Sequence, residues 1–519
     1  MQSRSEDRPG ENFGHPLARG LRFPIESAAL YLCLSCLILG CCLSIWSAWR
    51  WPLVGDASLI RYVVFLMRSG MKPYSNIIDI NLPGSYLLEY GAMRLFGWGA
   101  HGLRAYDGFL CVCFCALSYF AGDKEGHERV FCLAGGLLFV LIHLHDGVFQ
   151  AGQRDDAMAV LALGAVVLLI RRGRLDLTAL SFFEALIGLS LTIKPTLLPM
   201  TLLPLVLWKT AADRTLKGAL RLLSVGSLAA MLPVALMLLW LHSYHSVHAF
   251  FDVLRSIDVL HGELGRKSVW WLIQHSVSPV ILLFLLWAVL VAAGRPAFDR
   301  TRTLLLGASC CGLLSYLEQG KGLAYQRYPF LSIWLVLAFL DYARAARSIG
   351  LPRVTAVAAL LAVSFGFVPK LTWETMSFDA AAPLQDNLER ALPEDGRGGS
   401  VQCIDTYGGC INALYDLRIK QATGYLYDCY LFTPPSEIRD SYRREFLSAF
   451  DAANPAVVVV TDNQCFHAKR SFDRIKPWPE FDERLRRDYT VRERWASQIR
   501  YRWWTHPEVP TAYTVYVHR

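Results

Sequence analysis

Long apolar runs separated by short polar stretches occupy the first two thirds of the chain. They predict membrane spans at 28–46, 102–121, 130–148, 157–170, 177–193, 196–208, 221–241, 271–293, 303–317, 329–343 and 354–372, about eleven in all. Two other stretches are amphipathic. In Trp51–Gly84, Leu59, Ile60, Val63, Val64, Leu66 and Met67 fall on one face of a helix with Arg61 and Arg68 opposite, the pattern of a helix lying in the interface. Tyr86–Trp98 reads as a second such helix. Beyond about residue 374 the apolar runs shorten. Strands are expected at 400–404, 456–461 and 512–518, and helices at 381–392, 437–450 and 480–487, which makes a small α/β domain of about 145 residues. The expected fold is therefore mainly α: residues 1–25 as a cytoplasmic segment, a membrane helix bundle over 26–373 with an external loop at 49–101, and an external soluble domain at 374–519.

Composition agrees with the pattern. Of 519 residues 54% are hydrophobic and 18% charged, a profile of polytopic membrane proteins and not of soluble domains. The net charge of +8 does not imply a nucleic-acid partner, because much of the Lys and Arg sits in short loops between apolar runs, as the positive-inside bias requires. Arg4, Arg8, Arg19 and Arg22 place the N-terminus in the cytoplasm, and an odd number of spans then places the tail outside. Ten of the 14 cysteines lie in apolar segments and read as small hydrophobes. The other four, Cys403, Cys410, Cys429 and Cys465, permit two disulfides in an external domain, with the pairing open.

The same alternation sends five polar segments to the external face beside Asp56 and Asp79: His145-Asp146, Gln153-Arg154-Asp155-Asp156, Lys194-Pro195, 243–270 and 318–327. Ionisable groups at span ends are costly unless paired or wet, so their collection on one face argues for one shared polar cavity. Taken singly, each has a plain reading: Asp56 as a helix N-cap, Arg154 with its acids as a capping ion pair, Lys194 as a snorkelling lysine, and Gly320-Lys321-Gly322 as a flexible turn. His242, His245 and His248 recur every three residues, which does not hold them on one helical face, so no metal or other cofactor is indicated.

In order, these segments resemble the GT-C glycosyltransferases of the protein mannosyltransferase and aminoarabinose transferase type. Asp56 stands where that family has its first-loop acid, although Ala57 replaces the commoner second acid. Asp79 precedes the Pro83-Gly84 break. Gln153-Arg154-Asp155 resembles the Gln-Arg-Asp segment of bacterial relatives, Lys194 the lysine after the fifth span, and Glu318-Gln319-Gly320-Lys321-Gly322 with Tyr325-Gln326-Arg327-Tyr328-Pro329 a bacterial signature in which Gln326 replaces a frequent His.

The resemblance implies an inner-membrane enzyme that moves a sugar, with inversion, from a polyprenyl phosphate to a hydroxyl of a glycan, lipid or protein at the external face. Asp56 would be the base. Asp79, Arg154, Asp155, Lys194, Lys321, Tyr325 and Arg327 would bind substrate, with the cations on the phosphate. The rival class is a transporter or flippase of lipid-linked saccharides, which should carry charge near the bilayer midplane and show related halves. A subunit that keeps the fold without activity is the third reading, which Ala57 and Gln326 keep open.

Overall fold

The computed structural model describes residues 16–123, 127–211, 215–294, 298–349, 381–392, 399–407, 409–463, 465, 471–496 and 512–519. The bundle begins with α1 (Pro16–Ala48), followed by α2 (Gly55–Arg68), α3 (Pro83–Phe96), α4 (Ala100–Ala121), α5 (Glu128–His145), α6 (Arg154–Arg172) and α7 (Leu177–Ile193). It continues with α8 (Leu216–Ser243), α9 (Val247–Glu263), α10 (Val269–Ser276), α11 (Ile281–Gly294), α12 (Arg300–Gln319) and α13 (Tyr328–Ile349). The tail holds α14 (Ala381–Ala391), α15 (Cys410–Asp416), α16 (Glu437–Ala453) and α17 (Pro479–Asp488), with strands β1 (Val401–Ile404), β2 (Val457–Thr461), β3 (Tyr489–Ala496) and β4 (Ala512–His518). The strands form one sheet in the order β1-β2-β4-β3, in which only β1 and β2 run parallel.

Most expected helices are present. The segment expected as a span at 196–208 is instead a 3-10 helix over Pro195–Thr210. Pro199 and Pro204 inside it each remove an N–H that an α-helical ladder would use, which disfavours the regular α form. The span at 271–293 is broken at Ser278–Val280, where Pro279 sits. Among the described residues, five segments are long and apolar enough to cross a membrane: Leu30–Ala48, Ala100–Ala121, Glu128–His145, Leu216–Ser243 and Val269–Ala293. By that measure five qualify against the eleven expected. Helices α6, α12 and α13 carry charge inside the bundle, such as the buried pair of Arg302 on α12 and Asp341 on α13 (2.9 Å). The span expected at 354–372 lies outside the described residues.

The largest departure concerns α2. Arg61, expected in water on the polar side of an interfacial helix, is fully buried. Its Nε donates to Glu89 Oε1 at 2.6 Å, and its Nη1 donates to the carbonyls of Gly97, Trp98 and Gly99. The tail covers this helix. Tyr62 Oη donates to the Ile419 carbonyl and accepts from the Gln421 amide, Lys420 reaches the Ser69 carbonyl, and Tyr415 Oη donates to the Trp98 carbonyl. One hydrophobic core thus runs through α2, α3, α9 and the tail, while a second fills the bundle. The stretch 243–270, expected as a loop, contains α9, whose Phe250, Val253, Ile257 and Leu260 enter the shared core. Strand β3 and helix α15 have no counterpart among the expected elements. β3 is the edge strand and exposes most of its residues, so it lacks an apolar signature. The tail cysteines pair as Cys403–Cys410 and Cys429–Cys465.

Candidate functional site

The loops at one end of the bundle meet the α2–α3 hairpin beneath the tail. Asp56 lies in the first turn of α2, but the N-cap is Val54 and no side chain caps the helix, so capping does not account for the carboxylate. Its Oδ2 accepts from Arg154 Nη2 at 3.3 Å and from the Tyr325 hydroxyl at 3.4 Å. Arg154, the first residue of α6, also donates from Nη1 to Asn81 Oδ1. Asn81 in turn donates to both oxygens of Asp79 (3.0 and 3.1 Å), which Tyr86 Oη completes at 2.6 Å. A polar chain therefore runs from Asp79 through Asn81 and Arg154 to Asp56. Burial raises the Asp79 carboxyl above its ordinary range, against the pull of its bonds to Tyr86 and Asn81.

Lys194 ends α7 at the start of the 3-10 segment and donates to Asp155 Oδ2 at 2.5 Å and to Gln319 Oε1 at 3.0 Å. Its ammonium also lies 5.1 Å from the centre of the Tyr325 ring. Asp155, expected to orient Arg154, holds Lys194 instead: its side chain is fully buried and faces α7. Beyond Gln319, Gly320 and Gly322 take φ of +69° and +72°, conformations that glycine adopts without strain, and these turn Lys321 inward. Lys321 Nζ meets His261 Nε2, and His261 Nδ1 lies 3.0 Å from the Tyr430 hydroxyl. Burial pushes Lys321 down to about 7, with Asp56 acting the other way. Burial, with Lys321, Lys194 and Arg154 close by, lowers His261 to about 3, so its imidazole is neutral.

Arg327 departs from this group. It donates to both oxygens of Asp146 (3.0 and 3.1 Å) and to the His275 carbonyl, and Tyr328 Oη completes the same carboxylate at 3.3 Å. The structure thus gathers Asp56, Asp79, Arg154, Asp155, Lys194, Lys321 and Tyr325, and sets Arg327 in a neighbouring ion pair.

Several members of the cluster escaped the sequence. Asn81 bridges Asp79 and Arg154, His261 meets Lys321, and Tyr427 and Tyr430 enter from the tail, where only the tertiary fold could place them. Asp107 carried a readable signal, a carboxylate within an apolar run. Its Oδ1 lies 3.0 Å from His143 Nε2 and accepts the Gly152 N–H at 3.0 Å, which pins the turn before Arg154. With Asp156, these two present ligand atoms within 4.8 Å of one another, the one such group among the described residues besides the disulfide-bonded Cys429 and Cys465 with Asp428. His242, His245 and His248 form no such group; His248 pairs with Asp252 on the exposed side of α9.

No protein-family model matches the chain, and no curated protein matches it in sequence. Among solved structures it is similar to the crystal structure of ArnT from Cupriavidus metallidurans bound to undecaprenyl phosphate, with 12% identity, a TM-score of 0.58, and coverage of 93% of this chain and 97% of that one. The apo structure of the same protein aligns with a TM-score of 0.56 at 12% identity, over 96% and 98% of the two chains. ArnT is an aminoarabinose transferase, and the fold of the present chain is GT-C.

Proposed function

We propose that this chain is a membrane glycosyltransferase that takes a sugar from a polyprenyl-phosphate donor and passes it to an acceptor hydroxyl. One observation carries the reading. A carboxylate, Asp56, sits 3.3 Å from the guanidinium of Arg154, with the ammonium groups of Lys194 and Lys321 in the same cluster, at one end of a GT-C bundle. The ArnT structure it resembles holds undecaprenyl phosphate.

The chemistry follows from charge. A donor phosphate that enters among Arg154, Lys194 and Lys321 competes with Asp56 for the Arg154 fork. The carboxylate so released accepts the proton of the acceptor hydroxyl as that oxygen attacks the sugar carbon from the side opposite the phosphate, which inverts the centre. The cations stabilise the charge that grows on the leaving phosphate. Asp155 holds Lys194, Tyr325 steadies Asp56, and Asp79 with Asn81 keeps Arg154 in place. Arg327 acts from outside, by fixing the turn that carries Tyr325. The reaction takes place at the external face of the inner membrane, with residues 374–519 as the external domain over the site and residues 1–25 in the cytoplasm. The carboxylates and cations around Asp56 gather at one end of the bundle, which favours this reading over a carrier of lipid-linked saccharides.

Mass spectrometry of cell-envelope glycans with and without the gene identifies sugar and acceptor together. In reconstituted membranes, Asp56→Asn should cut transfer by about 10²–10⁴-fold, the usual contribution of a positioned base, while the protein stays folded and inserted. Full activity in that variant refutes the mechanism.

A further inference from the structure

A cavity of about 390 Å³ opens between the tail and the end of α9. Leu264 at the end of α9, Phe432, Pro477 and three arginines, Arg439, Arg443 and Arg474, line it, with the Cys429–Cys465 disulfide along one wall. No carboxylate is among the described residues of the lining.

Two of the arginines have counter-ions. Arg474 pairs with Asp428 at 2.5 Å and Arg439 with Asp440 at 2.5 Å. Arg443 has none among the described residues. It is 9% exposed, donates to the Leu431 carbonyl at 2.7 Å and the Pro477 carbonyl at 3.4 Å, and lies over the Trp478 ring at 4.9 Å. Asp440 and Glu480 act on it from a distance, but its bonds go to carbonyl dipoles, an arrangement that costs a buried guanidinium stability unless an anion meets it directly. Burial, with Arg439 nearby, holds its pKa down at about 10, against the pull of Asp440 and Glu480.

We propose that this cavity binds a phosphate group, held by the fork of Arg443 with Arg439 beside it, one turn earlier on the same face of α16. A guanidinium fork matches a tetrahedral oxyanion bearing one or two charges, and Arg439, though paired with Asp440, adds positive charge beside it. The volume leaves room for the moiety esterified to it, so the ligand is a phosphate ester, either a lipid headgroup or a soluble phosphorylated compound. This site is separate from the Asp56 cluster and does not depend on the transferase reading. The two share the turn 428–432, whose Tyr430 reaches His261, so occupancy of one steadies a wall of the other.

Hydrogen exchange of the full chain, read by mass spectrometry over residues 428–443, tests the proposal. Inorganic phosphate is titrated in detergent, and nanodiscs with and without phosphatidylglycerol are compared. Saturable protection by free phosphate supports a soluble ligand, and protection only in phosphatidylglycerol nanodiscs supports a headgroup. In Arg443→Gln the midpoint for whichever probe protects the wild type should rise at least about tenfold, equivalent to about 1.4 kcal/mol. Should that variant fail to keep the Cys429–Cys465 bond, Arg439→Gln decides, because its removal leaves the internal bonds of Arg443 intact; it should weaken protection in the same direction. Protection by neither probe, or an unshifted midpoint in the deciding variant, overturns the proposal.

Discussion

Replacing Lys194 by Met tests whether this lysine is fixed by a buried ion pair or merely reaches for headgroups. The Asp155 side chain is fully buried, its Oδ2 bonds Lys194, and its Oδ1 has no partner. Methionine matches the length of lysine but leaves Asp155 as an isolated buried carboxylate, and loss of one member of a buried pair costs about 3–5 kcal/mol. The accompanying loss at Gln319, which is only half-buried, adds about 1 kcal/mol at most. In the double variant Asp155→Asn/Lys194→Met no charge is stranded, so most of that stability should return, with a coupling of about 2–3 kcal/mol between the two positions. Unfolding by SDS titration in mixed micelles, followed by circular dichroism, measures both. Binding of a polyprenyl-phosphate donor to the same proteins separates folding from function: the double variant should be stable yet still bind weakly, because the ammonium is missing. Lys194→Met within about 0.5 kcal/mol of wild type would refute the pairing argument and leave a snorkelling lysine.

Other consequences are open to simple measurement. Glu89→Gln removes the counter-ion of the fully buried Arg61 and should destabilise the α2–α3 hairpin by about 3–5 kcal/mol, seen as faster limited proteolysis between residues 55 and 99. A Cβ on Gly84 would overlap the side chain and carbonyl of Thr192, whereas one on Gly91 of the same helix meets open space. Gly84→Ala should therefore cost about 1–3 kcal/mol and Gly91→Ala be neutral or stabilising by up to about 1 kcal/mol, in the same SDS titration. Lys321, held at about 7 in the unliganded protein, is an ammonium below that pH and a neutral amine above it. Affinity for a sugar phosphodiester, whose own charge is constant in this range, should be flat below pH 7 and fall by up to about tenfold per unit above it. Lys321→Arg should abolish that slope in a binding titration.

The places of most helices, the strands β1, β2 and β4, and the segments that meet around Asp56 were legible along the chain because each depends on local periodicity or on polar residues stranded at the ends of apolar runs. The gathering of Asp56, Arg154, Lys194 and Lys321 at one end followed from the same logic, since buried charge must find a partner. Tertiary structure alone decided who partners whom. Asp155 faces Lys194 and not Arg154, Arg327 turns away to Asp146, and Asn81, His261 and Tyr430 join from positions with no local signature. Arg61 marks the boundary most clearly. Its place on the polar side of an amphipathic helix predicted water, yet the tail folds over that helix and Glu89 and three carbonyls replace the solvent. Periodicity reports that a face is polar; whether water or another part of the chain satisfies it depends on tertiary contacts, which for Arg61 come from 28 to 38 residues further along the chain.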